Sequence, residues 1–476
     1  MSAKTEMTLT EGNIAKKMVL FALPLIVSGW LQLSFNLADY IVCGQFVSDK
    51  AVGAIGATGS LTSLLVDLFI GFAIGVNVVM GNAYGARNKE KGMRTIGSAT
   101  LLALVSGIFL AIIGIVFART FLTWMNTPES MIDMSVTYMS IIFAGLPFSL
   151  LYNFGASVMR GMGDSTKPFI FLTIGGVVNV GLNILFVVPI KMGVAGLALA
   201  TIISEGLSAF LVYLSLFRNR FGFARFTFQN LHFYKDETKE ILRIGVPAGI
   251  QGAMFDIANV LIQFNINSFG DEVISGDAAA GRISGYVYIA QNGFSQAAVA
   301  FISANVGAKN TKNIKKAFTW GVLFALIADV IFGSLEIILR HQLLGLIVSG
   351  DEALSTGELN ILITITFHFT MCLVDVISSS ERGLGYSTLP ALVSFLGICC
   401  IRIIYIYTIF PLPQFHSMAY LYATYPISWT ITAIGHLVCY AIISKKVCTR
   451  LEQETSLRTA IPASNSQLVP SKTDKA

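Results

Sequence analysis

The chain has 476 residues, of which 54% are hydrophobic and only 12% are charged, whereas an ordinary soluble domain has about 25% charged residues. Together with a mean hydropathy of +0.70, this composition excludes a soluble globular protein and indicates a polytopic helical membrane protein. The net charge of +5 gives no reason to expect a nucleic-acid partner, because the basic residues lie mostly in loops between apolar segments.

Twelve apolar segments follow one another along the chain. Each has about the 20 residues that a helix needs to cross a bilayer. We therefore predict an all-α membrane protein with twelve transmembrane helices. The segments are residues 17–43, 52–80, 95–118, 133–158, 168–189, 194–217, 240–269, 278–305, 317–339, 358–381, 389–411 and 419–444.

Basic residues accumulate in every second loop. The loops after the second, fourth, sixth, eighth and tenth segments, and the stretch after the twelfth, hold most of the lysines and arginines, while the alternate loops are acidic or nearly neutral. Under the positive-inside rule the basic loops lie in the cytoplasm. This pattern predicts a multi-pass protein of the inner (cytoplasmic) cell membrane with both termini in the cytoplasm.

The loop after the sixth segment is the longest polar break, and it divides the chain into two halves. The residues after Lys446 are polar and aperiodic, which is typical of disorder. We predict a cytoplasmic N-terminal tail (1–16), an N-terminal six-helix bundle (17–217), a cytoplasmic linker (218–239), a C-terminal six-helix bundle (240–446) and a disordered cytoplasmic tail (447–476).

The two halves repeat each other at an offset of 222 residues. The Arg-Gly-x-Gly motif at 160–163 recurs at 382–385, and Gly-Ala-Arg-Asn at 85–88 recurs as Gly-Ala-Lys-Asn at 307–310. Six helices are an even number, so both halves enter the membrane in the same direction and should be related by an axis along its normal. Such pseudo-symmetric bundles suit alternating access. A duplicated scaffold that serves only packing is the alternative, and it explains the repeat but not the acids within the segments.

The repeated motif and two prolines have a structural interpretation. Paired glycines allow a tight turn after a helix, the arginine precedes that turn at the helix C-terminus, and a proline inside a helix predicts a kink. An isolated pair of glycines is weak evidence for phosphate binding. We interpret as structural hinges and anchors the residues Pro24, Pro247, Arg160, Gly161, Arg382 and Gly383.

The first apolar segment carries a carboxylate. Gln32, Asn36 and Asp39 follow at spacings of four and three residues, which puts them on one helical face. A charge inside the bilayer costs about 2.5–3.5 kcal/mol or more, and it is usually retained because it faces a cavity, an ion or a partner. We predict that Asn36 and Asp39 belong to a coupling-ion site. The alternative is an acid near the helix end that lipid headgroups solvate.

These features together resemble the MATE family, the multidrug and toxic compound extrusion transporters. The resemblance rests on twelve segments in two halves, Asn-Leu-Ala-Asp at 36–39, the motif at 85–88 with its counterpart at 307–310, and the doubled Arg-Gly-x-Gly. It implies a V-shaped pair of helical bundles that exports organic, often cationic, lipophilic compounds in exchange for Na⁺ or H⁺. We expect a monomer in the lipid bilayer, with no cofactor besides the coupling ion.

The resemblance also assigns residues of the first half. The family's acid on the first helix falls on Asp39, and its polar pair on the fifth falls on Asn179 and Asn183, while Asn153 and Thr201 resemble further polar positions of the same cavity. The asparagine at position 183 is similar to the residue found in the Na⁺-coupled branch of the family. One carboxylate together with several neutral oxygens suits Na⁺, and Asp39 would be the metal ligand. A single carboxylate can also carry a proton. The asparagines could instead serve only hydrogen bonds between helices, worth about 0.6–2 kcal/mol.

Polar residues inside the second half are candidates for substrate binding or a second cation site, with interhelical pairing as the alternative. They are Gln251, Asp256 and Asn259 on the seventh segment, Gln291, Asn292 and Gln296 on the eighth, and Asp375 on the tenth. Asp329, Glu336 and Glu381 lie nearer the segment ends, so we expect solvated, interfacial positions for them. The sequence leaves open the roles of the intramembrane acids Asp67 and Glu205.

The sequence supports other functions less well than it supports a transporter. A membrane-embedded enzyme is disfavoured, because the segments contain no His-Glu-x-x-His, Gly-x-Ser-x-Gly or paired-aspartate metal signature. A flippase for a lipid-linked substrate shares this helical plan, but it predicts a markedly more basic cavity than the mostly acidic intramembrane residues suggest. The sequence does not distinguish a carrier from a channel. Stoichiometric exchange of an ion for a drug would identify a carrier.

Overall fold

The computed structural model describes residues 7–125, 127–219 and 222–460, without the side chains of a few helical residues that include Asp67. These residues form helices joined by short loops. The helices are α1 (Ile14–Phe46), α2 (Asp49–Gly85), α3 (Lys89–Trp124), α4 (Glu129–Gly161), α5 (Thr166–Val187), α6 (Gly193–Arg218), α7 (Lys235–Ile266), α8 (Asp271–Gly307), α9 (Thr311–Gly345), α10 (Asp351–Thr366), α11 (His368–Gly383), α12 (Thr388–Ser394), α13 (Ile401–Thr408) and α14 (Met418–Ala460).

The fourteen helices make twelve membrane spans. Helices α10 and α11 meet at a bend of 50° and form one span, and a π-helical turn at Phe395–Cys400 joins α12 to α13 in another. In the described part of the chain, ten helices are long and apolar enough to cross a membrane, and the bent pair makes eleven. The twelfth, α8, is less apolar but has 37 residues, more than the bilayer requires. The predicted twelve-helix, all-α fold is confirmed.

Two helices are shared between the bundles. Helix α1 packs on α5 of its own bundle and on α8 and α9 of the other, whereas α7 packs extensively on α2 and also on the α12–π segment of its own bundle. Since α1 and α7 are the first helices of the two repeats, the exchange is symmetric. A change in the environment of α1 therefore reaches both bundles.

The repeat extends to individual backbone angles. Arg87 and Lys309 both adopt φ of 54°, and Gly163 and Gly385 both adopt φ of 88°. Asn88 and Asn310 each cap the following helix through the side chain. Each pair is separated by the offset of 222 found in the sequence, which confirms that the two bundles are copies of one fold.

The first and last described residues, near Met7 and Glu454, lie on the same face as the loops after α2, α4 and α8; we call it the tail face. The Met7 amide donates to the Gly163 carbonyl at 3.3 Å. The side chain of Asn305 donates to the Leu9 carbonyl at 3.1 Å, and Lys309 pairs with Glu454. With Leu9 fully buried, the segment 7–13 is a bridge between the first and second bundles.

The bundles approach each other closely along α2, from its middle to its end at the tail face. A Cβ on Gly249 of α7 would overlap the Leu68 carbonyl of α2, and a Cβ on Gly85 would overlap the Ala304 carbonyl of α8. Farther from this face, a Cβ on Gly56 of α2 would have no heavy atom within 4 Å. These close approaches hold the two bundles together at the tail face and at mid-span.

The predicted disordered tail is wrong for its first part. Helix α14 continues to Ala460, because Val447, Cys448 and Leu451 extend its apolar face and are at most 5% exposed. Residues 461–476, like residues 1–6 of the predicted N-terminal tail, lie outside the described residues. The linker is shorter than 218–239, since α7 already begins at Lys235.

Gly249→Ala should destabilise the protein, because the added methyl group overlaps a backbone carbonyl and overpacking costs about 1–3 kcal/mol. We expect a lower thermal unfolding midpoint than wild type in detergent. The matched control is Gly56→Ala, which meets open space and should leave the midpoint unchanged or raise it. Equal midpoints for the two variants would contradict close packing of α2 on α7.

Candidate functional site

A cavity of about 830 Å³ lies between the two bundles, with walls formed by side chains of both. Its size is within the range of sites that hold drug-sized ligands. All the polar residues predicted as coupling-ion or substrate ligands line it except Asn183 and Gln291. The predicted residues on its walls are Asn36, Asp39, Asn153, Asn179, Thr201, Gln251, Asp256, Asn259, Asn292, Gln296 and Asp375.

Asp39 is held by a hydrogen-bonded network across α1, α5 and α6. Asn183 donates through Nδ2 to Asp39 Oδ1 and to Asn179 Oδ1, the latter at 3.1 Å. Asn179 in turn donates to Thr201 Oγ1 at 3.4 Å. We call these four residues the Asp39 network. Asn183 is fully buried directly behind the carboxylate, which explains why it does not itself line the cavity.

The Asp39 network presents oxygens that suit a hard monovalent cation. The Oδ1 atom of Asn183 is buried and has no hydrogen-bond partner among the described residues. Glu205, whose role the sequence left open, lines the same wall one turn after Thr201. Asn153 lines the cavity but donates to the Ser149 carbonyl of its own helix at 3.0 Å, so it stands apart from the network.

A second hydrogen-bonded chain crosses between the bundles. Arg160 of α4 donates to Gln296 Oε1 at 3.0 Å, and Gln296 donates to Asn292 Oδ1 at 2.9 Å. Asn292 then donates to Asp375 Oδ2 at 3.0 Å. The arginine therefore does more than anchor the end of α4, because its side chain lines the cavity and connects the first bundle to Asp375 of the second.

Gln251 belongs to a buried chain within the second bundle. Its amide oxygen accepts from Arg382 at 2.8 Å and its nitrogen donates to Ser394 at 2.7 Å. Ser394 lies 3.0 Å from His436 Nε2, and His436 Nδ1 lies 2.8 Å from Glu381. The chain leads from the cavity wall into the bundle interior.

The expectation that Asp329, Glu336 and Glu381 are solvated is wrong. All three are at most 4% exposed, because α9 and α11 pack inside the second bundle. Asp329 contacts His368, Glu381 contacts His436, and Glu336 accepts from Ser284 at 2.6 Å. Each buried acid thus has a polar partner, as a carboxylate removed from water requires.

The side chain of Gln291 is fully buried and does not line the cavity, so its role in binding stays a prediction. It precedes Asn292, and consecutive residues of an α-helix point about 100° apart. Asn292 and Gln296, one turn apart, share the face that borders the cavity, which leaves Gln291 directed into the protein.

Arg402 is a cavity residue that sequence reasoning missed. It lines the wall formed by the second bundle and is 1% exposed. It donates to Asn259 Oδ1 at 2.8 Å and to Ser428 at 3.2 Å, and its guanidinium lies 4.5 Å from the ring centre of Tyr425. The signal was available, since it is the basic residue within the apolar segment 389–411.

Comparison with known proteins links both halves to one family. The MatE family model matches residues 24–185 and again residues 247–408. The chain is 26% identical over 449 residues to a probable multidrug resistance protein, YoeA, of Bacillus subtilis, covering 93% of this chain and 96% of that protein. It is 30% identical over 306 residues to a second one from the same organism, YpnP, covering 64% and 68%.

A solved structure has the same fold. The outward-facing conformation of a multidrug resistance MATE family transporter aligns with a TM-score of 0.86 at 19% identity, over 95% of this chain and 100% of that one. The two-lobed architecture described above is therefore shared along the whole described chain.

Glu381→Ala should lower the thermal unfolding midpoint, because it leaves His436 buried without its partner, at a cost of about 1–3 kcal/mol. The matched control is Glu358→Ala, which removes a similar pair with His341 whose imidazole is 69% exposed and should cost about 0–1 kcal/mol. If both variants unfold at the same temperature, the inner pair contributes no more than the exposed one.

Proposed function

We propose that this chain, which belongs to the MatE family of membrane transporters, is a secondary active antiporter that exports organic compounds in exchange for Na⁺ or H⁺. Its family membership makes it a multi-pass small-molecule transporter of the cell membrane and not an enzyme. The observation that carries the proposal is the position of Asp39, an intramembrane carboxylate in a central cavity, bound to a buried amide on another helix.

Alternating access follows from how α1 is packed. Asp39 lies on α1, which contacts α5 in the first bundle and α8 and α9 in the second. A cation or proton that binds Asp39 changes its hydrogen bond to Asn183 and with it the preferred position of α1. Since α1 contacts both bundles, the occupancy of the site biases which side of the cavity is open.

The proposal includes both Na⁺ and H⁺ as coupling ions. The oxygen atoms around Asp39 favour Na⁺. The unpartnered Oδ1 of Asn183 and the hydroxyl of Thr201 lie in the network that holds Asp39. Hard cations select such neutral and anionic oxygens. A proton on Asp39 would leave the buried oxygen of Asn183 unused.

The substrates that we propose are lipophilic compounds with a cationic group. Asp39, Glu205, Asp256 and Asp375 line the cavity and attract positive charge. Aromatic side chains on the same walls, such as Trp429, suit flat organic cations. We also propose that the tail face is cytoplasmic and that the protein works as a monomer.

A flippase for a lipid-linked substrate is the second candidate. It is favoured by three arginines, Arg160, Arg382 and Arg402, that line the cavity beside the four acids. The lining is nevertheless not markedly basic, which supports the antiporter.

Asp39→Asn should abolish gradient-driven efflux, because the variant keeps a side chain of the same shape but loses the charge that binds the coupling ion. We expect at least a tenfold loss of ethidium efflux from proteoliposomes under an imposed Na⁺ or H⁺ gradient, on the order of the cost of removing one charged ligand. The control is Asp133→Asn, which removes an exposed acid paired with Arg119 outside the cavity. Full efflux by Asp39→Asn would refute the coupling role.

Asn183→Leu should distinguish the two ions. If Na⁺ binds at the Asp39 network, saturating Na⁺ but not K⁺ raises the unfolding midpoint of the wild type, by ligand linkage of about 2.7 kcal/mol at one hundred times Kd. The variant lacks the amide oxygen and should lose this shift. A wild-type midpoint that responds to pH and not to Na⁺ would instead establish proton coupling.

A further inference from the structure

Three cavity arginines have no carboxylate partner. Arg382 and Arg402 are 8% and 1% exposed, and Arg160 is half-buried. All three line the central cavity. Among the described residues, no carboxylate oxygen lies within 4.0 Å of any of them. They are bonded only to amides and hydroxyls.

The nearby acids either bond to other side chains or form no ion pair with the arginines. Asp375 accepts from Asn292, and Glu381 contacts His436, although both lie on α11 with Arg382. Asp256 precedes Asn259 by about one turn on α7, and its Oδ2 is buried without a partner, yet it forms no ion pair with Arg402. Each guanidinium group is therefore left without a carboxylate at salt-bridge distance among the described residues.

An arginine has five N–H donors, and these side chains use only part of them. Arg402 donates through Nε and one terminal nitrogen, which leaves Nη2 without a bond to a described residue. The Nε atoms of Arg160 and Arg382 are buried and unpartnered. Removing a cation from water without a counter-ion is costly, so an anion supplied by a ligand would complete these sites.

Arg402 has the surroundings of a specific pocket. Its guanidinium lies over the ring of Tyr425, which is in turn 5.4 Å, between ring centres, from Trp429 one turn farther along α14. Both aromatic side chains line the cavity. A planar apolar group can stack on these rings while an attached acid reaches the arginine.

We propose that Arg402, Tyr425 and Trp429 form an anion subsite that binds the carboxylate of an aromatic substrate. Arg382 lies on the same wall, since it is bonded to Gln251 and Arg402 is bonded to Asn259, eight residues farther along α7. The substrates are accordingly zwitterionic, with the cationic end toward Asp39 and Glu205 and the acidic end toward the second bundle. This inference rests on the proposed function, because it takes the cavity as the substrate site.

Two matched fluorescent probes test the subsite. Rhodamine B carries a free carboxylate, whereas its ethyl ester is a cation with the same ring system. We expect the full-length wild-type protein in nanodiscs to bind the acid about fivefold or more tightly than the ester, as judged by fluorescence anisotropy, because a charge-assisted hydrogen bond is lost in the ester. This comparison needs no variant.

Arg402→Gln should weaken binding of the acid about tenfold or more and change binding of the ester less than about threefold. Arg402→Lys, which keeps the charge, should recover part of the difference. The control Arg119→Gln, at an exposed ion pair, should bind both probes as the wild type does.

Equal loss of both probes in Arg402→Gln, or a wild type that does not prefer the acid, would overturn the anion subsite while ester binding keeps the proposed function intact. A wild type that binds neither probe would overturn both.

Discussion

The hydrogen bond between Asn183 and Asp39 is the constraint on which the rest depends. A carboxylate within a bilayer must be bonded or ligated, and here its partner lies on α5 while the acid itself lies on α1. Since α1 also packs on α8 and α9, this contact connects the chemistry of one side chain to the relative position of two bundles. Through that connection, the state of Asp39 is coupled to the cavity between the bundles and to their contacts at the tail face.

Duplication preserved the backbone and changed the chemistry. Paired loops keep the same φ angles, yet the second copy of α5 is α12–α13, which a π-helical turn interrupts. Arg402 lies within one residue of the position equivalent to Asn179 at the offset of 222. Where one wall presents amides to Asp39, the other presents a guanidinium over an aromatic ring. A symmetric scaffold thus holds two walls that differ in their chemistry.

The sequence was sufficient for the helices, because span length is a local property. The residues of the Asp39 network were predicted from the resemblance to the MATE family, and only the four-residue interval between Asn179 and Asn183 is a local feature. It was insufficient for the contacts of His368 with Asp329 and His436 with Glu381, which join residues 39 and 55 positions apart. Such pairs depend on which helix faces pack together. The helical residues 447–460 were missed because charged neighbours interrupt the short apolar face that Val447, Cys448 and Leu451 bury.

The segment 7–13 has a consequence for the energetics of the transport cycle. It is bonded to Gly163 in the first bundle and to Asn305 and Asn313 in the second, and each such bond contributes about 0.5–1.5 kcal/mol net. Burial of Leu9 adds about 1.5–3 kcal/mol. Separating the bundles at this end breaks these contacts together, so the segment stabilises the contact between the bundles at the tail face. Removing this segment would then weaken the contact between the bundles without altering a single residue of the cavity.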